Sequence, residues 1–385
     1  MHYMIALPAL KSKELQLTNL NRLRGFAAIC VVVGHAFIIV SLRPAQLHFG
    51  PIYLLIASAT VYFVLIAGIL FQIKAVPRLN AGRTRTRDIL RRRWAQFSGI
   101  YLTIGVFLAL TTGIKEGLSA GINPVYHFVR MMINGSMAHS YWFVPFFLLL
   151  MALTPLHLWF SRRPLAIQAV LVAVGLALSA ITHRPGAYDI YGPIHALGYY
   201  LPVFWFGLMI GQNLPMVLVW LKGKEALLAF GVAAIVAMQM QIGQTGVYLH
   251  SFGQNLGQID LFAVQKILLG LLLLSFFDQT KTISMPLIDW VADRSLIIFF
   301  MHSPVLIAIT DAPHLSDLYF PELILASGIM IYVGVKFHTL LLRVFEHLPD
   351  RIKEIGLKVT AGRLSKRSET DLPCRTPLDQ KTRSV

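Results

Sequence analysis

Charge is scarce in this sequence, and acidic charge scarcest of all. Only 14% of the 385 residues are charged, with 18 acidic against 34 basic side chains and a formal net charge of +16. A soluble globular chain carries about 25% charged and roughly 45–50% apolar residues, whereas here the apolar share is 56%. That combination excludes an ordinary soluble domain and makes the chain an integral membrane protein. Cysteine is nearly absent as well. Cys30 lies in an apolar run and Cys374 in a polar one, so no disulfide framework is expected, and neither has a second thiol or histidine at metal-ligand spacing. The 13 histidines are scattered, with no i, i+4 pair facing a carboxylate, so no metal site is expected. The first apolar run continues past the usual signal-peptide length without a small-residue cleavage site, so no cleavable signal is expected. No internal repeat stands out, which leaves an inverted-repeat transporter without sequence support.

What the chain does have is long apolar segments. A transmembrane helix needs about 20 predominantly apolar residues, and ten stretches qualify: roughly 25–42, 51–73, 95–113, 140–160, 164–182, 193–212, 226–242, 259–277, 288–310 and 321–342. Pro51, Pro164, Pro193 and Pro321 mark starts, where a first-turn N–H needs no partner. The expected fold is therefore all-α, a polytopic membrane domain over 1–345 with about ten transmembrane helices. Loop lysines and arginines set its orientation. With the N-terminus inside, 27 of the 34 basic residues fall on the cytoplasmic side and only Arg43, Lys115, Arg130 and Arg184 outside. N-in, C-in follows. The basic residues cluster between apolar runs rather than on a face with stacking aromatics, so nucleic acid is not an expected partner. Residues 346–385, polar and basic, have the composition of a disordered cytoplasmic tail near anionic lipid headgroups.

Ionisable groups inside a bilayer are expensive and are functional candidates by default. The run RLRGFAAICVVVGHAF carries two, Arg24 and His35. Eleven residues are almost three helical turns, so both share one face, separated by roughly 16 Å along the axis. Such a pair suits one long ligand, with its anionic end at the cytoplasmic mouth and its reactive end in the membrane interior.

The pattern Leu23-Arg24-Gly25-Phe26-Ala27-Ala28 followed by Gly34-His35 resembles the opening signature of the membrane acyltransferase 3 family, an arginine, ten residues and a histidine. Ser295 to Pro304, with His302 in register, is similar to that family's Ser-x-x-Ile-Tyr-Leu-x-His-x-Pro segment. Tyr141-Trp142-Phe143-Val144-Pro145, and Tyr199-Tyr200-Leu201-Pro202 through Gly207, resemble further landmarks. The resemblance implies a multi-pass enzyme of the bacterial cytoplasmic (inner) membrane. It would move an acyl group, usually acetyl from acetyl-CoA, onto a hydroxyl of an envelope glycan or lipid-linked sugar. On this reading acyl-CoA, the glycan acceptor and membrane lipids are the partners. Arg24, Arg92 and Arg93 would hold the coenzyme A phosphates, since arginine makes forked contacts to phosphate. His35 would be general base or acyl acceptor, and His302 a further candidate. Two departures stand out. Gln96 and Gly99 occupy places where the family carries an arginine and a proline, and Ala67 sits where Ile-Ser-Gly is common.

Other groups have plainer readings. Lys266 and Lys336 lie within apolar segments but within reach of an interface by snorkelling. Asp293 and Arg294 are adjacent and cannot face each other on a helix. His127, Arg130, His139, Tyr141 and Trp142 gather at the outer entry of the fourth segment, where an aromatic belt is expected and sugar stacking is conceivable. Two rival classes stand beside the enzyme: a transporter using His35 and Lys266 as a proton relay, and an inactive scaffold in envelope synthesis.

Overall fold

The structure is a computed structural model that describes residues 9–39, 50–119, 121–138, 140–185, 191–244, 249–250, 258–310, 325–337 and 339–340. The chain divides into two units, 1–335 and 336–385. Of the second, only 336, 337, 339 and 340 are among the described residues, all helical; the expected tail 346–385 lies outside them, as does His139.

The architecture is helical. In chain order the principal elements are α1 (Ala9–Ile39), α2 (Gly50–Ile56), α3 (Thr60–Leu70), α4 (Thr86–Leu108), α5 (Pro124–Asn134), α6 (Phe143–Ala152), α7 (Thr154–Ser161), α8 (Leu165–Thr182), α9 (Gly192–Gln212), α10 (Leu214–Leu221), α11 (Glu225–Gln241), α12 (Phe262–Gln279) and α13 (Pro286–Thr310). The helix Leu325–Phe337 follows as α14. A two-residue parallel pairing of Arg184–Pro185 with Leu249–His250 joins two loops. Among the described residues, five helical stretches are long and apolar enough to cross a membrane, or seven if each of two bent pairs counts as one span. The protein is a multi-pass membrane protein. Its lipid-facing surfaces follow from the exposed side chains, as on α8, where Leu165, Val170, Val174 and Leu178 are all exposed.

The apolar segment 51–73 is not one straight helix. It breaks between α2 and α3, where Ser58 adopts φ 60°. A broken helix inside a bilayer leaves carbonyls that no water can satisfy. Here the carbonyls of Leu54 and Leu55 accept from Lys266 Nζ at 2.7 and 2.8 Å, and Gln265 Nε2 also donates to Leu54 at 3.2 Å. Lys266 is fully buried. Snorkelling is therefore corrected: the amine turns inward because the break supplies two acceptors. A second break, bent by 58°, separates α6 from α7. There Trp205 Nε1 donates to His157 Nδ1 at 3.2 Å, which leaves the Nε2–H of His157 to donate to Leu150 O at 2.7 Å.

Two crossings fix the core. Between α3 and α9 the backbones touch: a Cβ on Gly68 would strike Phe204 O, and one on Gly207 would strike Leu65 O. Between α1 and α13 a Cβ on Gly25 would meet Ile288 O at 2.5 Å. The α1–α13 contact is anchored by Arg22, 4% exposed. Its Nε donates to Asp289 Oδ1 at 2.9 Å, Nη2 to Asp289 Oδ2 at 3.2 Å and Ile283 O at 2.9 Å, and Nη1 to Thr280 O at 3.0 Å.

The α3–α9 crossing can be tested with two alanines on one helix. Gly198 faces open space, so Gly198→Ala is expected to stabilise by up to about 1 kcal/mol through helix propensity. Gly207→Ala is expected to destabilise by roughly 1–3 kcal/mol because it must push two backbones apart. Thermal unfolding in detergent reads both, and equal shifts would refute the close crossing.

Candidate functional site

Helices α1 and α13 run parallel and side by side. Arg24 Nη2 donates to Ala292 O at 2.9 Å, and ten or eleven residues further along each helix the rings of His35 and His302 meet, centroids 4.8 Å apart and tilted by 47°. Both Arg24 and His35 thus face α13. Two histidines 267 positions apart in the chain come together near the end of a shared helical register.

Their hydrogen bonds assign the tautomers. His35 Nδ1 lies 2.8 Å from Val31 O and His302 Nδ1 lies 3.2 Å from Ile298 O. A carbonyl only accepts, so in each neutral ring Nδ1 carries the proton and Nε2 is the basic nitrogen. His302 Nε2 lies 3.4 Å from Ser303 Oγ, which in turn is 2.9 Å from Ser140 Oγ. His302, Ser303 and Ser140 are all buried. The arrangement offers two basic imidazole nitrogens and a pair of linked hydroxyls in a low-dielectric setting, where polar interactions act strongly.

Aromatic side chains wall this site. Phe299 packs against His302 at 5.9 Å and against Phe143 at 5.2 Å, while Phe300 meets Tyr141 at 5.3 Å and Phe97 at 6.1 Å. The turn leading into α6 contributes on several sides at once: Ser140 to Ser303, Tyr141 to Phe300, Phe143 to Phe299. A Cβ on Gly34 would lie 3.5 Å from Ile56, which sets the neighbouring His35 level with the α2–α3 break.

The two α4 arginines occupy different settings. Arg92 is exposed. Arg93 is half-buried, its guanidinium 5.9 Å from the Phe147 ring, and its Nη1 donates to Gln96 Oε1 at 2.9 Å. Gln96, one of the departures noted above, therefore orients Arg93. Among the described residues no hydrogen bond or ion pair joins Arg92 or Arg93 to Arg24. Arg294 folds back on its own helix, donating to Trp290 O at 3.3 Å, and Asp293 is exposed. No group of three or more metal-ligating side chains occurs among the described residues.

A family model described as an acyltransferase domain matches residues 17–338, from the first turns of the α1 span into α14. The chain belongs to the acyltransferase 3 family. No curated protein and no solved structure matches it. The protein is thus a membrane acyltransferase, and the matched region of this acyltransferase holds the histidine pair, Arg24, Arg92 and Arg93.

Three features of the acyltransferase escaped the reading of the sequence. Arg22 reads as an ordinary cytoplasmic anchor beside Arg24, yet it is the more deeply buried of the two. Ser140 and Ser303 carry no motif of their own; their positions beside Tyr141 and His302 were the available signal.

The juxtaposition of the histidines is open to chemistry. In a background lacking Cys30 and Cys374, a His35→Cys/His302→Cys protein is expected to be bridged by a short bis-maleimide, read by intact mass. Arg24→Cys/His302→Cys, with thiols offset by about three turns, is expected to stay unbridged. Equal bridging in both would refute the register of α1 against α13.

Proposed function

We propose that this acyltransferase moves an acetyl or related acyl group from cytoplasmic acyl-CoA to a hydroxyl of an envelope carbohydrate or lipid-linked sugar. It would do so in a bacterial cytoplasmic membrane, as a ten-span, N-in, C-in domain. The observation that carries this reading is the meeting of His35 and His302, each with its Nδ1–H committed to its own helix. An imidazole oriented in this way is ready to accept a proton at Nε2. The parallel course of α1 and α13 supports the topology, because parallel spans require an odd number of crossings between them, as a first and a ninth span have.

In the proposed reaction His35 Nε2 takes the proton of the acceptor hydroxyl as its oxygen attacks the thioester carbonyl carbon. The new C–O bond forms, the C–S bond breaks, and the departing thiolate takes the proton to leave as the free thiol of coenzyme A. Thioester and alcohol become ester and thiol, with no other reactant. A positioned imidazole base contributes about 10²–10⁴-fold. His302 supplies a second basic nitrogen beside the first. Arg24, Arg92 and Arg93 lie at the helix ends assigned to the cytoplasm and would pair with the coenzyme A phosphates, for which a planar guanidinium is better suited than an ammonium.

The test uses membranes containing equal amounts of full-length wild type, His35→Ala or Arg24→Gln, supplied with radiolabelled acetyl-CoA. Base-labile label in the glycan and glycolipid fractions is counted. His35→Ala is expected to lower transfer by about 100-fold or more, and Arg24→Gln to raise KM for acetyl-CoA more than it lowers kcat. Wild-type transfer by His35→Ala would remove the histidine from the mechanism. Absence of transfer and of thioester cleavage in the wild type would favour the scaffold reading.

A further inference from the structure

A second polar cluster lies across the α2–α3 break from the histidines, and its centre is Arg184. The residue lies two positions beyond the end of α8, and the backbone around it is held on several sides. His183 sits at φ 58°, a costly conformation for a side chain with a Cβ, and its Nε2 lies 2.7 Å from Gln258 O. The last carbonyls of α8 are taken up by neighbours, Ala180 O by the backbone N–H of Asp260 at 2.8 Å and Thr182 O by His195 Nε2 at 2.9 Å. Arg184 itself pairs with Leu249 in the short parallel bridge.

The guanidinium so placed lies over two rings, 5.3 Å from Trp142 and 5.7 Å from Tyr200, which stack on each other at 5.7 Å and 23°. Its Nη1 donates to Ser58 Oγ at 3.5 Å. Its Nε is buried with no hydrogen-bond partner, and the hydroxyl of Tyr200, a residue with no exposed surface, is turned toward Ser58 and Arg184. Among the described residues no carboxylate lies within ion-pair distance of Arg184. Asp260, which acts on it only through space, is already engaged: Oδ1 accepts from the Phe262 N–H at 2.8 Å and from Gln244 Nε2 at 3.0 Å, and Oδ2 from the Tyr199 hydroxyl at 3.3 Å.

Burying a guanidinium Nε–H without a partner is expensive, and that expense vanishes if an incoming acceptor takes it up. The edge of Arg184 away from Ser58 has the fork that a carboxylate or phosphate fills with two parallel hydrogen bonds. Trp142 ties this edge to the histidines, because it lies two residues from Ser140, the partner of Ser303. We propose that Arg184, with Ser58 and Tyr200, binds an oxyanion carried by the acyl acceptor, either a sugar carboxylate or the phosphate of a lipid-linked sugar. The proposal rests on the acyl-transfer reading for its ligand's role, and it assigns the acceptor to the end of the bundle that the basic-residue distribution expects to face outward. Trp142 and Tyr200 would give the acceptor's ring a stacking platform beside the charge.

The experiment is a binding titration on the full-length protein in phosphatidylcholine nanodiscs, followed by ligand-dependent thermal stabilisation. The probes are glucuronate, farnesyl phosphate and the neutral methyl glucoside. Wild type is expected to bind at least one anionic probe at least ten times more tightly than methyl glucoside. Arg184→Gln is expected to abolish that difference and Arg184→Lys to retain part of it, while Ser58→Ala weakens the anionic probe about threefold. Preference for glucuronate identifies a carboxylate acceptor, and preference for farnesyl phosphate a lipid-linked phosphate. Binding of the favoured anion by Arg184→Gln, or by Arg184→Lys should the former fail to fold, with wild-type affinity overturns the proposal. So does a wild type that binds neither anion better than the neutral sugar. No acyl donor is present, so the outcome is independent of the transfer assay above, and either proposal can fail alone.

Discussion

A buried arginine holds the site together from a distance. Arg22 directs four hydrogen bonds at the turn between α12 and α13 and at Asp289 in the first turn of α13. Removing such a group from water is tolerable only because nearly every donor finds an acceptor. Since Arg22 and Gly25 lie one turn apart on α1, the clamp and the close backbone approach act on the same stretch of α13. They set the height of one helix against the other. Everything further along inherits that register, so His35 meets His302 because Arg22 meets Asp289. A shift of one residue would rotate one ring about 100° away from its partner.

The same economy of polar groups recurs wherever a helix is interrupted. The α2–α3 break is kept by Lys266 and Gln265, the α6–α7 bend by His157 and Trp205, and the end of α8 by His195 and the Asp260 backbone. In each case a donor from outside the interrupted turn satisfies carbonyls that the bilayer would leave bare. These polar residues are structural in the strict sense that a helix end depends on them. They also shape what lies nearby, since the first break carries Ser58 and the last presents Arg184.

Much of this was legible in the residues. Segments 164–182 and 193–212 correspond to α8 and α9 almost residue for residue, because a proline opens each and an apolar run fills it. The shared face of Arg24 and His35 follows from helical periodicity alone, and the family signature pointed to His302. The meeting of His35 with His302 was not legible, since contacts 267 positions apart leave no local pattern. The break in 51–73 had a faint sign in the small run Ala57-Ser58-Ala59, but its stabiliser, Lys266, reads in isolation as a snorkelling lysine. Arg22 was hidden by its company: among four basic residues near the start of the chain, nothing local distinguishes the one that turns inward. The departure at Gln96 acquires a role only when its contact with Arg93 is seen.

The pairing of α1 with α13 also has a temporal side. During synthesis α1 leaves the ribosome long before α13 exists; at about 5–20 residues per second, 267 residues take roughly 13–53 s. For that interval Arg22, Arg24 and His35 are in or beside the bilayer without the helix that gives them partners. The first span must therefore wait at the membrane, its arginines held by headgroups or by the insertion machinery, until the helix carrying His302 arrives. A chain interrupted anywhere before residue 302 contains an intact first motif and no histidine pair. Partly made copies therefore lack the paired site, and the arrangement delays its completion until the bundle that encloses it is nearly whole.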